Sequence, residues 1–95
     1  MSSGEIERAE IYISGRVQGV GFRRFARNAA ERLGVDCNPL NLRDGRVLVI
    51  AEGKLEAIEL LISELRKGPT YAEVDNVDVM FKEASGNVYD FLVRP

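Results

Sequence analysis

Ala9-Glu10-Ile11-Tyr12-Ile13-Ser14 alternates apolar and polar side chains, the period of a half-buried strand. From Phe22 the period changes. Phe22, Phe25, Ala26, Ala29, Ala30 and Leu33 fall on one face of a helix, and Gly34 supplies its stop. Arg27 and Glu31, four apart on the polar side, are spaced to pair. A second strand is predicted over Val35–Leu42, with a change of phase inside it. Val35 and Cys37 share one parity, and Leu40 and Leu42 share the other. Pro39 cannot donate a ladder hydrogen bond, so the pattern predicts an edge strand bulged near Pro39.

Asp44-Gly45 is a hairpin signal. It leads into Arg46–Ala51, whose run Val47-Leu48-Val49-Ile50 is apolar on both faces, as in a central strand. Gly53 is expected to start a second helix, striped by Leu55, Ile58, Leu61, Ile62 and Leu65 and ended by Gly68-Pro69. Val77, Val79 and Phe81 alternate as a fourth strand. Gly86-Asn87 marks a turn, and Val88–Val93 is expected as a short last strand.

The order is β-α-β-β-α-β. Two helices with one apolar face each can cover one side of an antiparallel sheet. The expected class is therefore α+β, a ferredoxin-like β-α-β-β-α-β sandwich with two helices on one face of a four- or five-stranded antiparallel sheet. Residues 1–8 are polar and read as a flexible N-terminal arm, and residues 9–95 as a single domain.

Chemistry concentrates between the first strand and the first helix, in Gly15-Arg16-Val17-Gln18-Gly19-Val20-Gly21-Phe22-Arg23. Glycines let successive N–H groups turn toward one point, and a helix N-terminus adds unpaired N–H groups with partial positive charge. Together they form a cradle for a phosphate-sized anion. Arg23 sits in the first helical turn, where the macrodipole disfavours a cation unless an anion is present. Its planar fork also matches phosphate. The competing reading is a plain glycine-bearing turn with a solvated arginine. Arg24 and Arg27 read as a solvated helix face.

This nonapeptide closely resembles the signature of the acylphosphatase family. Leu33-Gly34, Asn41-Leu42-Arg43-Asp44-Gly45, Ala51-Glu52-Gly53 and Lys67-Gly68-Pro69 extend the likeness from about Ile11 to Phe91. The resemblance implies the same fold, with the second strand at a sheet edge, and hydrolysis of a carboxyl–phosphate mixed anhydride. It implies Arg23 and Asn41 as catalytic residues, Arg23 as phosphate anchor and Asn41 as orienter of the attacking water. The N–H groups of Val17, Gln18, Gly19, Val20, Gly21 and Phe22 would bind the phosphate oxygens. On residue chemistry alone, Asn41 also reads as a turn-capping asparagine beside the hairpin, and Asn38 is a rival in the same strand. One departure is clear. The family usually has Gly-Trp-Val-Arg ahead of the asparagine, and this chain has Cys37-Asn38-Pro39-Leu40.

Composition narrows the chemistry. The chain has no histidine, so Ser-His-Asp and Cys-His catalysis and histidine metal sites are excluded. Cys37 is the single cysteine, which rules out an internal disulfide and fits a small buried apolar residue. No metal or cofactor is expected. An acyl phosphate suits this toolkit, because its carboxylate leaving group needs little protonation and the task is positioning and charge stabilisation.

A net charge of −2 gives no basic field for nucleic acid, although Tyr12, Tyr89 and Phe91 are conceivable base-stacking residues. No apolar run approaches the roughly 20 residues of a membrane span, and the N-terminus lacks a signal-peptide apolar region. The expected protein is a cytoplasmic monomer acting on a small-molecule acyl phosphate, with no nucleic-acid or membrane partner. The alternative is a non-catalytic phosphate- or anion-binding regulatory domain of the same fold.

Overall fold

The computed structural model describes residues 5–90. The elements are β1 (Glu7–Arg16), α1 (Phe22–Leu33), β2 (Asp36–Asn41), β3 (Val47–Gly53), α2 (Leu55–Lys67) and β4 (Glu73–Glu83). All three sheet pairings are antiparallel, and the order is β2-β3-β1-β4. This is the ferredoxin-like α+β plan, with four strands among the described residues. None of the helices among those residues is long and apolar enough to cross a membrane.

Strand period decides which side chains meet the helices. Ala9, Ile11 and Ile13 of β1 and Val47, Val49 and Ala51 of β3 are fully buried in the main core. Phe22, Ala26, Ala29 and Ala30 of α1 and Ile58, Leu61 and Leu65 of α2 close over them. Leu55, at the start of the α2 stripe, stays largely exposed. Gly53 ends β3 rather than starting α2, whose N-cap is Lys54. A Cβ at Gly53 would come within 3.3 Å of the Val35 side chain, so the glycine serves close packing there.

The bulge expected near Pro39 is absent. β2 pairs with β3 in continuous register from Asp36↔Glu52 to Asn41↔Val47. The change of phase has another cause, because both faces of β2 are covered. Cys37 packs against the helix-side core. Leu40 joins Leu42, Tyr12, Leu48, Ile50 and Val88 in a second apolar cluster on the opposite face. β2 is an edge strand of the described sheet, where Pro39 is tolerated.

The bulge lies instead between β1 and β4. Ser14 pairs with Asn76 and Gly15 with Val74, so Asp75 has no partner on β1. The extra residue lets Val74 and Val77 both pack against the core despite their odd spacing. Gly15 has φ 125°, and a Cβ there would collide with the Glu73 carbonyl oxygen and lie 2.8 Å from Asp75 N. Gly15 is thus required by the bulge that aims the chain into the loop.

β1 begins at Glu7, inside the segment expected as an arm, because Arg8 is held in a buried polar network. Arg8 Nη1 donates to Glu52 Oε2 at 2.7 Å, and its Nε lies 3.4 Å from Glu10 Oε2. Glu52 also accepts from Ser85 N–H at 2.8 Å and Gly86 N–H at 2.9 Å. Arg8 Nη2 reaches the Asp90 carbonyl at 3.2 Å, and Asn38 Nδ2 reaches the Val88 carbonyl at 3.2 Å. The segment after β4 is thereby strapped across the sheet face opposite the helices. Residues 88–90 form a turn rather than the start of a strand, and the rest of the expected last strand lies outside the described residues. On the same face Tyr12 is occupied, with the Arg46 guanidinium carbon 4.9 Å from its ring centroid.

Burial pushes the Glu52 carboxyl up, but hydrogen bonds from Ser85 N–H, Arg8, Gly86 N–H and the Ser85 hydroxyl outweigh it and hold the group below its usual value of 4.5. A lowered folded-state value adds stability above the unfolded value, and that stability is lost as pH falls. Glu52→Gln is expected to cost about 3 kcal/mol at pH 7, the scale for breaking a buried ion pair. The gap to the parent protein should close as the pH falls below about 4, measured by urea unfolding at both pH values.

Candidate phosphate-binding pocket

The loop between β1 and α1 is pinned at both ends. Val17 and Phe22 are almost fully buried, while Gly19 and Gly21 between them are exposed. Phe22 also packs against Phe25, with ring centroids 5.9 Å apart. Gly19 and Gly21 have φ of 75° and 80°, a conformation costly for other residues. Gly21 is the N-cap of α1. No side chain caps that terminus and no acidic residue occupies its first turn, where Arg23 and Arg24 stand. Among the described residues, no backbone carbonyl accepts from the N–H groups of Gln18 through Phe22. A helix end with uncompensated donors and adjacent cations is suited to an anion.

Val17, Gly19, Gly21, Phe22, Arg23, Arg24, Arg27 and Asn41 line one cavity of about 300 Å³. The structure therefore brings the glycine loop, Arg23 and Asn41 together. Val20 faces the core instead. The Gln18 side chain turns away from the cavity lining, and its Nε2 donates to the Leu42 carbonyl at 2.8 Å and the Arg46 carbonyl at 2.9 Å.

Asn41 is exposed at the end of β2, opposite Val47. Its amide makes no hydrogen bond to another side chain among the described residues. Asn38 points to the other sheet face, where its amide is used by Val88. Beyond Asn41 the hairpin is shaped by Leu42 N–H donating to Arg46 O at 2.8 Å and Gly45 N–H to Leu42 O at 3.2 Å. The Arg46 N–H beside Asp44, with its guanidinium at 2.8 Å, holds the Asp44 carboxyl below its usual range.

Arg24 and Arg27 are exposed, as a solvated face requires, yet both line the cavity. The expected Arg27–Glu31 pair does not form among the described residues. A signal for Arg27 was present in the sequence: it follows Arg23 by four residues, which stacks both on one side of a helix. Nothing local announced that Gln18 would be consumed by the hairpin, since that contact spans distant segments.

Comparison with known proteins agrees with the fold. The acylphosphatase family model matches residues 9–93. An acylphosphatase of Rubrobacter xylanophilus is 44% identical over 93 residues, covering 98% of this chain and 84% of the relative. One of Salinibacter ruber is 44% identical over 94 residues, covering 99% of each. The crystal structure of acylphosphatase from Bacillus subtilis superimposes with a TM-score of 0.79 at 31% identity, over 82% of this chain and 87% of that one.

Cys37 is no rival nucleophile. Burial pushes its thiol up to about 11 against an ordinary value of 9.0, with Arg27 opposing the shift. At pH 8 its thiolate population is expected to be about 100-fold below that of the unfolded chain. Iodoacetamide labelling of native and urea-unfolded protein, followed by mass spectrometry, reads that difference as a rate ratio.

From the match across residues 9–93 and the full-length relatives, this chain belongs to the acylphosphatase family.

Proposed function

We propose that the pocket built by Val17–Phe22, Arg23 and Asn41 is where this acylphosphatase hydrolyses acyl phosphates to carboxylate and inorganic phosphate. The observation that carries the reading is the convergence of an uncapped helix N-terminus, Arg23 and Asn41 on one 300 Å³ cavity.

The mechanism follows from the donors available. Main-chain N–H groups of Val17 through Phe22 and the Arg23 guanidinium take the phosphoryl oxygens and spread their charge. Arg24 and Arg27 add positive potential at the rim. The Asn41 amide holds a water in line with the phosphorus–oxygen bond to the acyl group. The water oxygen bonds to phosphorus as that bond breaks, and the carboxylate leaves with the electron pair. An amide is a weak base, so the water proton passes to a phosphoryl oxygen of the substrate. Catalysis of this kind rests on positioning and electrostatics and needs no metal for so good a leaving group.

We assign the enzyme to a reducing compartment, the cytoplasm, because its single cysteine offers no internal disulfide.

An aryl acyl phosphate assayed in excess chelator is expected to turn over. Absence of turnover would favour the alternative, an anion-binding domain without catalysis. Arg23→Ala is expected to lose both turnover and inorganic phosphate affinity, the latter read by calorimetry. Asn41→Ala should keep phosphate binding while kcat falls by ~10²–10³, the scale for removing one positioned donor.

A further inference from the structure

The Gln18 side chain is committed to the hairpin, not to the pocket. A side-chain amide nitrogen carries two donors, and both are used on the Leu42 and Arg46 carbonyls. These two residues form the neck of the β2–β3 hairpin, where Leu42 N–H also donates to Arg46 O. Asn41 immediately precedes Leu42, and its strand partner Val47 immediately follows Arg46. One amide therefore ties the phosphate loop to both strands beside the Asn41–Val47 pair. Among the described residues no other side-chain hydrogen bond joins the loop to the hairpin.

We infer that Gln18 is a positioning residue that fixes the Asn41 amide relative to the phosphate cradle, and so governs turnover rather than phosphate affinity. The inference rests on the pocket assigned above. The cradle has its own supports in Val17 and Phe22, which are buried independently of Gln18. The hairpin side has no comparable anchor to the loop. Loss of the tether leaves each carbonyl only its donor within the hairpin, Gly45 N–H for Leu42 and Leu42 N–H for Arg46, and lets the hairpin drift from the loop. A shift of about 1 Å between reacting groups is enough to cost ~10²-fold in rate.

The test is a double-mutant cycle of Gln18→Met with Asn41→Ala, assayed with an aryl acyl phosphate, alongside calorimetry with inorganic phosphate. Gln18→Leu, neutral and without the amide donors, serves as the second variant should the methionine protein not fold. Either Gln18 variant alone is expected to lower kcat by ~10–100-fold with phosphate affinity changed by less than about threefold. In the Asn41→Ala background the same change should cost almost nothing further, since the group being positioned is already gone. Amide exchange at Leu42 should quicken in either variant. A loss that persists in full in the Asn41→Ala background, or a parallel fall in phosphate affinity, would overturn the inference and make Gln18 a support of the cradle itself. An unchanged kcat would overturn it as well. These results differ from failure of the hydrolytic reading, which would show as a wild-type protein without turnover.

Discussion

Val17 and Phe22 are sunk into the core on either side of Gly19 and Gly21, whose main chain stays at the surface. A loop of small residues has little reason of its own to keep one shape, because glycine has the largest conformational freedom to lose. Here the order is imposed from both ends. Phe22 is also the first residue of α1, so the same burial that seats the helix fixes where its N-terminus points. The donors of that terminus and the arginine one residue on take their places from this pinning. Donors and cations thus gather at one cavity in a protein with net negative charge, through local geometry rather than a global field.

The hairpin half of the pocket depends on the opposite side of the sheet. β2 lies at the edge of the described sheet, where a strand is usually free to deform. It is kept straight because Cys37 packs on the helix side while Asn38 and Leu40 are covered by the strapped segment after β4. That strap is held by Arg8 and Glu52, a buried ion pair whose remaining valences are met by Ser85, Gly86 and Asp90. Pairs of this sort contribute little net stability but penalise any arrangement that breaks them. In this molecule the penalised arrangement is one in which the second face of the sheet stands open.

The helix stripes, the central character of Val47–Ile50 and the edge placement of Pro39 were legible because each follows from period or from one residue's chemistry. The glycine loop and Arg23, which line one cavity, were legible for the same reason: glycines and a misplaced cation are local signals. Three features were not legible. The bulge sits at Gly15 rather than Pro39, since it is set by the close approach of Glu73 from a distant strand. Arg8 read as part of a polar arm and Glu10 as an outward polar position, because neither composition nor alternation announces a segment arriving to cover them. Gln18 read as a loop donor because its two acceptors lie in the hairpin, far along the chain.

The bulge at Gly15 has a consequence for how the enzyme comes into being. The strand leading into the loop is aligned by Glu73–Asn76, residues synthesised long after the loop itself. Pairing across such a sequence separation is late and slow, since the intervening chain must be closed first. A nascent chain that has already emerged through α2 holds all the site's residues, yet the loop has no wall to fix its upstream end. The upstream end of the loop is therefore set only when β4, the last strand among the described residues, docks along β1.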